Sequence, residues 1–181
     1  MSTRKTTQIR DLMVKAAALS FDEMKALVGT NSRTLAYSDE CVIAVCWKES
    51  SFIPDATSST TTAKGLMQMT NPAVDTVNAN TPAGVHFDYS DMLIKEKAIQ
   101  CGTYYLEISF KLAGGTSKAD GLNKFSNIPN YADNILAAEA CLQALGQRRR
   151  SDDVSQPDSQ VHTADGRARI PDSGVPAYGP R

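Results

Sequence analysis

Ser38-Asp39-Glu40-Cys41-Val42-Ile43-Ala44-Val45-Cys46-Trp47-Lys48-Glu49, followed by Ser50-Ser51-Phe52-Ile53-Pro54-Asp55-Ala56 and then Gly65-Leu66-Met67-Gln68, is the stretch on which the fold turns. Ser38 is a helix cap, two acidic residues complement the first turn, and apolar side chains on most sides predict a buried helix over 39 to about 49. That helix ends in a carboxylate. Burial and the negative end of the helix dipole both oppose ionisation of Glu49, so it is suited to hold a proton near neutral pH and to act as a general acid. On position alone, an outward-turned, solvated Glu49 is an equal alternative.

Working outward, the rest of the body also reads as helices. Ser20 followed three residues later by Glu23 is a capping box opening a helix with Phe21, Met24, Leu27 and Val28 on its apolar positions. Before it, Ile9, Leu12, Met13, Ala16 and Ala17 recur at helical spacing. Asn71-Pro72 starts a further helix. A long one is expected from 90 or 91 to about 112, ended by Gly114-Gly115, with Ile94, Ala98, Cys101, Tyr105 and Ile108 on a buried face. Two more cover 118 to about 125 and 131 to about 145, the last closed by Gly146. The polar, β-branched run 57–62 is a loop or small hairpin and the only strand-like stretch in the body. The fold class is therefore mainly α, with at most a small β-hairpin or loop.

The chain has 181 residues, enough for one compact domain. Composition changes at Gln147: the last 35 residues hold four of the eight prolines and no Leu, Phe, Met or Cys. Such a segment buries too little apolar surface to offset its ordering entropy, so the division is a helical body over 1–146 and a polar, Pro-containing disordered tail over 147–181. The run Arg148-Arg149-Arg150 is cancelled by Asp152 and Asp153. A net charge of -1 provides no general attraction to nucleic acid or to an acidic membrane. No stretch has the apolar length of a membrane span, and the first residues do not read as a secretory signal. Four cysteines, Cys41, Cys46, Cys101 and Cys141, permit two disulfides without requiring them. Their spacing is unlike a zinc site, and no metal or cofactor is expected.

The motif Glu-Ser-x-Phe-x-Pro-x-Ala-x-Ser, ending in Ala-x-Gly-Leu-Met-Gln at Gln68, resembles the catalytic motif of the soluble lytic transglycosylases and goose-type lysozymes. Gly102-Thr-Tyr-Tyr-Leu106 is similar to the family's Gly-x-x-Tyr-Leu helix, and Leu122-Asn123 with Asn130-Tyr131 to its later Asn and Asn-Tyr elements. The resemblance implies a lysozyme-like helical fold that cleaves the β-1,4 bond between N-acetylmuramic acid and N-acetylglucosamine in peptidoglycan glycan strands. It makes Glu49 the catalytic acid/base. It assigns substrate contacts to Ser50, Ser58, Met67, Gln68 and Asn123, and to Tyr131 a hydroxyl close to the acid. The loop is one residue longer than the family's, and Thr62 replaces its usual glycine.

Two-carboxylate hydrolysis needs a second acid roughly 5 to 9 Å from the first. Residues 56–69 contain none; Asp55 immediately precedes them, and Asp75 and Asp88 would have to fold back toward the cleft from their own segments. A single-acid route follows, ending in a 1,6-anhydro product or, if a water is held near the hydroxyl-rich loop, in hydrolysis. Two rival readings stand beside it: a Cys/His peptidoglycan amidase built on Cys41, in the first turn of its helix where the dipole lowers a thiol pKa, with His86; and a non-catalytic, lysozyme-like glycan-binding module. A wall-cleaving body without a visible signal is expected in a phage lysis enzyme or an injected antibacterial effector acting in the periplasm, the latter with a cognate immunity protein as partner.

Overall fold

The computed structural model describes the backbone of residues 18–154 and the side chains of 18–147; the helix expected over 9–17 and the segment 155–181 lie outside the described residues. Six α-helices follow in order: α1 (Phe21–Asn31), α2 (Asp39–Ser50), α3 (Asn71–Asn80), α4 (Lys95–Leu112), α5 (Lys118–Phe125) and α6 (Tyr131–Val154), with a 3-10 helix at Tyr89–Leu93 before α4. No strand is found among the described residues. The small hairpin reduces to two isolated antiparallel bridges, Thr57 with Lys64 and Lys64 with Met69.

The caps expected from sequence set the first two helices. Ser20 accepts from the Glu23 amide while the Glu23 carboxylate accepts from the Ser20 amide at 2.8 Å. Ser38 accepts from the Cys41 amide, and Cys41, Val42, Ile43, Ala44, Val45 and Cys46 are all buried, so α2 is a core helix. It packs on α1 and α6, while α4 packs on α1, α3 and α5.

Two helix boundaries differ from expectation. The segment before α4 is not one continuous α-helix: Tyr89–Leu93 forms a 3-10 turn held by an Asp88/Asp91 capping box, Ile94 becomes the cap of α4, and its side chain is 46% exposed. The buried positions of α4 are Ala98, Ile99, Cys101, Gly102, Thr103, Leu106 and Ser109, with Tyr105 and Ile108 only partly covered. Gly146 does not end α6, which runs on to Val154. Gly146 is not among the left-handed glycines, and the polar residues after it tolerate helix, so the glycine costs the helix something without stopping it.

The four cysteines are free thiols, three buried and Cys141 exposed. The antiparallel pair α2 and α6 is joined at one end by Glu139, which is buried: its Oε1 accepts from the Ser38 hydroxyl at 2.5 Å and from Lys118 Nζ at 3.1 Å. Ser38 thereby caps α2 and ties it to α6 through one hydroxyl.

Candidate active site

Glu49 lies in the last turn of α2, and the chain leaves the helix through two left-handed residues, Ser51 at φ 51° and Phe52 at φ 66°. Left-handed backbone is costly for a side chain as large as Phe. The other left-handed non-glycine residues among those described are Gln68 and Asn130, the latter just before Tyr131. All of them lie at or beside Glu49, Gln68 and Tyr131, so backbone strain is concentrated where these three side chains are presented.

Ser50 is buried and its hydroxyl lies 2.9 Å from the Cys46 carbonyl and 3.0 Å from the Leu66 carbonyl. Its single proton is thus committed to backbone, and the residue fastens the end of α2 to the 65–68 turn. That turn depends on Gly65, at φ 76°, whose amide donates to Ala56 O at 2.7 Å; a Cβ there would lie 1.8 Å from the Met92 carbonyl oxygen. Gln68 spends its amide protons on the Ala56 and Gly65 carbonyls, at 3.1 and 2.9 Å. Its side-chain carbonyl is the group left to meet a ligand.

Tyr131, the first residue of α6, is fully buried, and its hydroxyl donates to Glu49 Oε1 at 2.6 Å. Burial raises the Glu49 carboxyl pKa and outweighs the opposing Tyr131 hydrogen bond and the nearby Lys48 charge. Burial, with the adjacent Glu49, also pushes the Tyr131 phenol up, so the phenol keeps its proton and serves as donor. Phe125 stacks against Tyr131 with ring centroids 6.1 Å apart, and Tyr105 lies 5.5 Å from Phe125. Tyr105 and Phe125 thus form an aromatic wall behind the pair.

These groups border a cleft of about 140 Å³ lined by Glu49, Met67, Gln68, Tyr105, Phe125 and Ser126, with Met69, Thr70 and Ala73 at its floor. Among the described residues Glu49 is the only carboxylate lining it. Of the residues singled out from sequence, the structure brings together Glu49, Met67, Gln68 and Tyr131. Met67 is buried and packs on Gly102, where a Cβ would stand 2.3 Å from its sulfur. Ser58 and Asn123 do not line the cleft: Ser58 accepts from the Thr60 and Thr61 amides inside its own loop, and Asn123 is exposed on α5. Asp55, Asp75 and Asp88 are exposed outside it.

Sequence reasoning missed Phe125 and Ser126 altogether and placed Tyr105 only on a buried face. Periodicity assigns faces of one helix; it carries no signal for which residue of α5 meets α6 across a turn. The rival reading at Cys41 is not supported either. The helix dipole does not lower its thiol pKa: burial, with Glu139 nearby, pushes it up to about 12. A nucleophilic thiolate there is not supported, and His86 is solvent-exposed, 3.8 Å from Asp88. No group of three or more His, Cys, Asp or Glu able to hold a metal occurs among the described residues, and no described helix is long and apolar enough to cross a membrane.

The profile of the transglycosylase SLT domain matches residues 27–138, most of the described chain and every residue lining the cleft. The protein belongs to the transglycosylase SLT domain family. This is a family of lytic-transglycosylase-type enzymes that act on peptidoglycan. A solved structure similar to this SLT-family chain is the 70 kDa soluble lytic transglycosylase from Escherichia coli, at 17% identity and a TM-score of 0.49, covering 74% of this chain and 21% of that one. The chain therefore spans about a fifth of that protein's length. No curated protein matches the SLT-family chain.

Proposed function

We propose that the chain cleaves the β-1,4 bond between N-acetylmuramic acid and N-acetylglucosamine with Glu49 as its one acid/base. The observation that carries this reading is the partly buried Glu49, its pKa raised, in a cleft with no second carboxylate among the described residues and with a neutral phenol bonded to it. In the first step the protonated carboxyl gives its proton to the glycosidic oxygen, and the C1–O bond breaks. With no carboxylate to act as nucleophile, the positive charge at C1 is met by the carbonyl oxygen of the sugar's own acetamido group. The Glu49 carboxylate, now stabilised by the Tyr131 O–H, then takes a proton from the 6-hydroxyl as that oxygen attacks C1, and a 1,6-anhydro end forms.

Hydrolysis would require a water held at C1 instead. The hydroxyls of the 57–62 loop do not border the cleft, and Ser58 is engaged within its own turn, which favours the intramolecular product. The side-chain carbonyl of Gln68 is the group available to orient the sugar, with the buried Met67 packed behind it. Mass spectrometry of muropeptides from digested sacculi tests the reading, because a 1,6-anhydro end is lighter than a reducing end by one water. Reducing ends alone would assign a muramidase; binding without release would assign a glycan-binding module. On this reading the chain acts in the bacterial periplasm after non-classical export or injection, and expression with and without an added export signal, scored by lysis, tests that.

A further inference from the structure

On the face of α2 away from the cleft, α1, α2 and α6 leave an apolar groove. Two cavities of about 250 and 310 Å³ share Phe21, Ile43 and Leu142. Trp47, Phe52 and Cys141 border the first, and Leu145, Lys25, Asp39 and Glu40 the second, giving that end a net single negative charge. Trp47 and Leu145 are each 58% exposed. Large apolar side chains left together at a surface of this kind mark a docking site.

We propose that this groove is the seat of residues 9–17 of the same chain, lying in it as an amphipathic helix. Three observations select this occupant. The chain enters at the rim of the groove: the Leu19 amide donates to the Phe52 carbonyl at 2.9 Å, and Phe21 opens α1 as a groove residue. The apolar positions Ile9, Leu12, Met13 and Ala16 fall on one helical face, and a helix over 9–17 rises about 12 Å, enough to lie along α2 from that entry. Residues 1–17 carry Arg4, Lys5, Arg10 and Lys15 against Asp11 alone, a net +3, which complements the acidic end of the groove. The other segment outside the described residues, 155–181, contains no Leu, Phe or Met with which to fill it.

Trp47 is the only tryptophan of the chain, so its fluorescence reports on the groove directly. Acrylamide quenching and the rate of maleimide labelling of Cys141, the one exposed cysteine, are compared between the full chain and the full chain carrying Leu12→Asp and Met13→Asp. The double substitution should raise both by roughly twofold or more, with far-UV circular dichroism of the body unchanged, as expected when a local contact opens. The milder Met13→Ser, which keeps the segment's charge, should give an intermediate increase and serves if the double variant does not fold. Equal quenching and labelling in all chains overturns the proposal. So does shielding of the wild type that fades on dilution, which assigns the groove to a second copy, or a chain ending at Val154 that exposes Trp47 as the double variant was expected to.

Discussion

The Tyr131 hydroxyl reaches Glu49 Oε1 at 2.6 Å across 82 positions of sequence, joining the first residue of α6 to the last turn of α2. The pair combines opposed influences on one carboxyl. Burial favours its protonated form and the phenol favours its ionised form, with burial the stronger. Protonation is needed for the first half of the proposed reaction and ionisation for the second.

Glu49→Gln is expected to lower muropeptide release by about 10²–10⁴-fold, since the amide has no proton to donate at neutral pH. Stability should move the other way. A carboxyl whose folded pKa is raised binds more protons folded than unfolded, so wild-type stability falls as pH rises from the ordinary carboxylate range through the raised pKa. Melting temperatures of wild type and variant should therefore coincide in acid and separate in favour of Gln above that window. A variant less stable than wild type at neutral pH would show that the ionised carboxylate is net favourable in its site.

Tyr131→Phe removes the donor that opposes burial, so the Glu49 pKa should rise further. The basic limb of the kcat/KM profile should move to higher pH while the maximum falls, because the carboxylate needed as base is no longer stabilised. Loss of a hydrogen bond to a charged group should cost about 1.5–3 kcal/mol where Glu49 is ionised and less in acid, as read from denaturant curves at two pH values.

Alanine at three glycines should separate close approach from helix propensity. Gly65→Ala sets a Cβ against the Met92 backbone carbonyl in a left-handed residue and should destabilise most, by about 1–3 kcal/mol or more. Gly102→Ala meets the flexible side chain of Met67, which lines the cleft, so activity should fall along with a smaller loss of stability. Gly146→Ala has open space and lies within α6, and should raise stability by about 0.5–1 kcal/mol. Thermal melts rank the three.

Ile99→Ala should cost about 2–5 kcal/mol, as removal of a fully buried side chain does. Ile94→Ala should cost less than about 1 kcal/mol because its side chain is half exposed at the cap of α4. Chemical denaturation of the two variants distinguishes them; equal losses would place Ile94 in the core.

These contrasts mark where sequence was legible. The capped, apolar α2, the capping box of α1 and the bounds of α5 follow from local chemistry, and the motif running from Glu49 to Gln68 contains Met67 and Gln68, two of the residues that line the cleft beside the acid. Ile94 was misplaced because the helix was begun at 90 or 91, where the Asp88 and Asp91 side chains instead close a 3-10 turn. Gly146 was read as a stop because a glycine's φ is not written in its identity. Phe125 and Ser126 reach the cleft through a tertiary meeting of α5 and α6, information that no periodic pattern contains. Cys41 illustrates competing local and global terms: the helix terminus favours the thiolate, but seclusion from water prevails.

The Ser38–Glu139 contact, described above as a tie between α2 and α6, has a mechanical consequence at the other end of the same two helices. Ser38 and Glu49 stand at opposite ends of α2, and Glu139 and Tyr131 lie two turns apart on α6. Two antiparallel rods fastened at both ends resist sliding, so a carboxylate outside the cleft helps to hold the separation of Glu49 and Tyr131. Glu139 thus acts as a distant brace, and loosening it would free the Glu49–Tyr131 separation from a position outside the cleft.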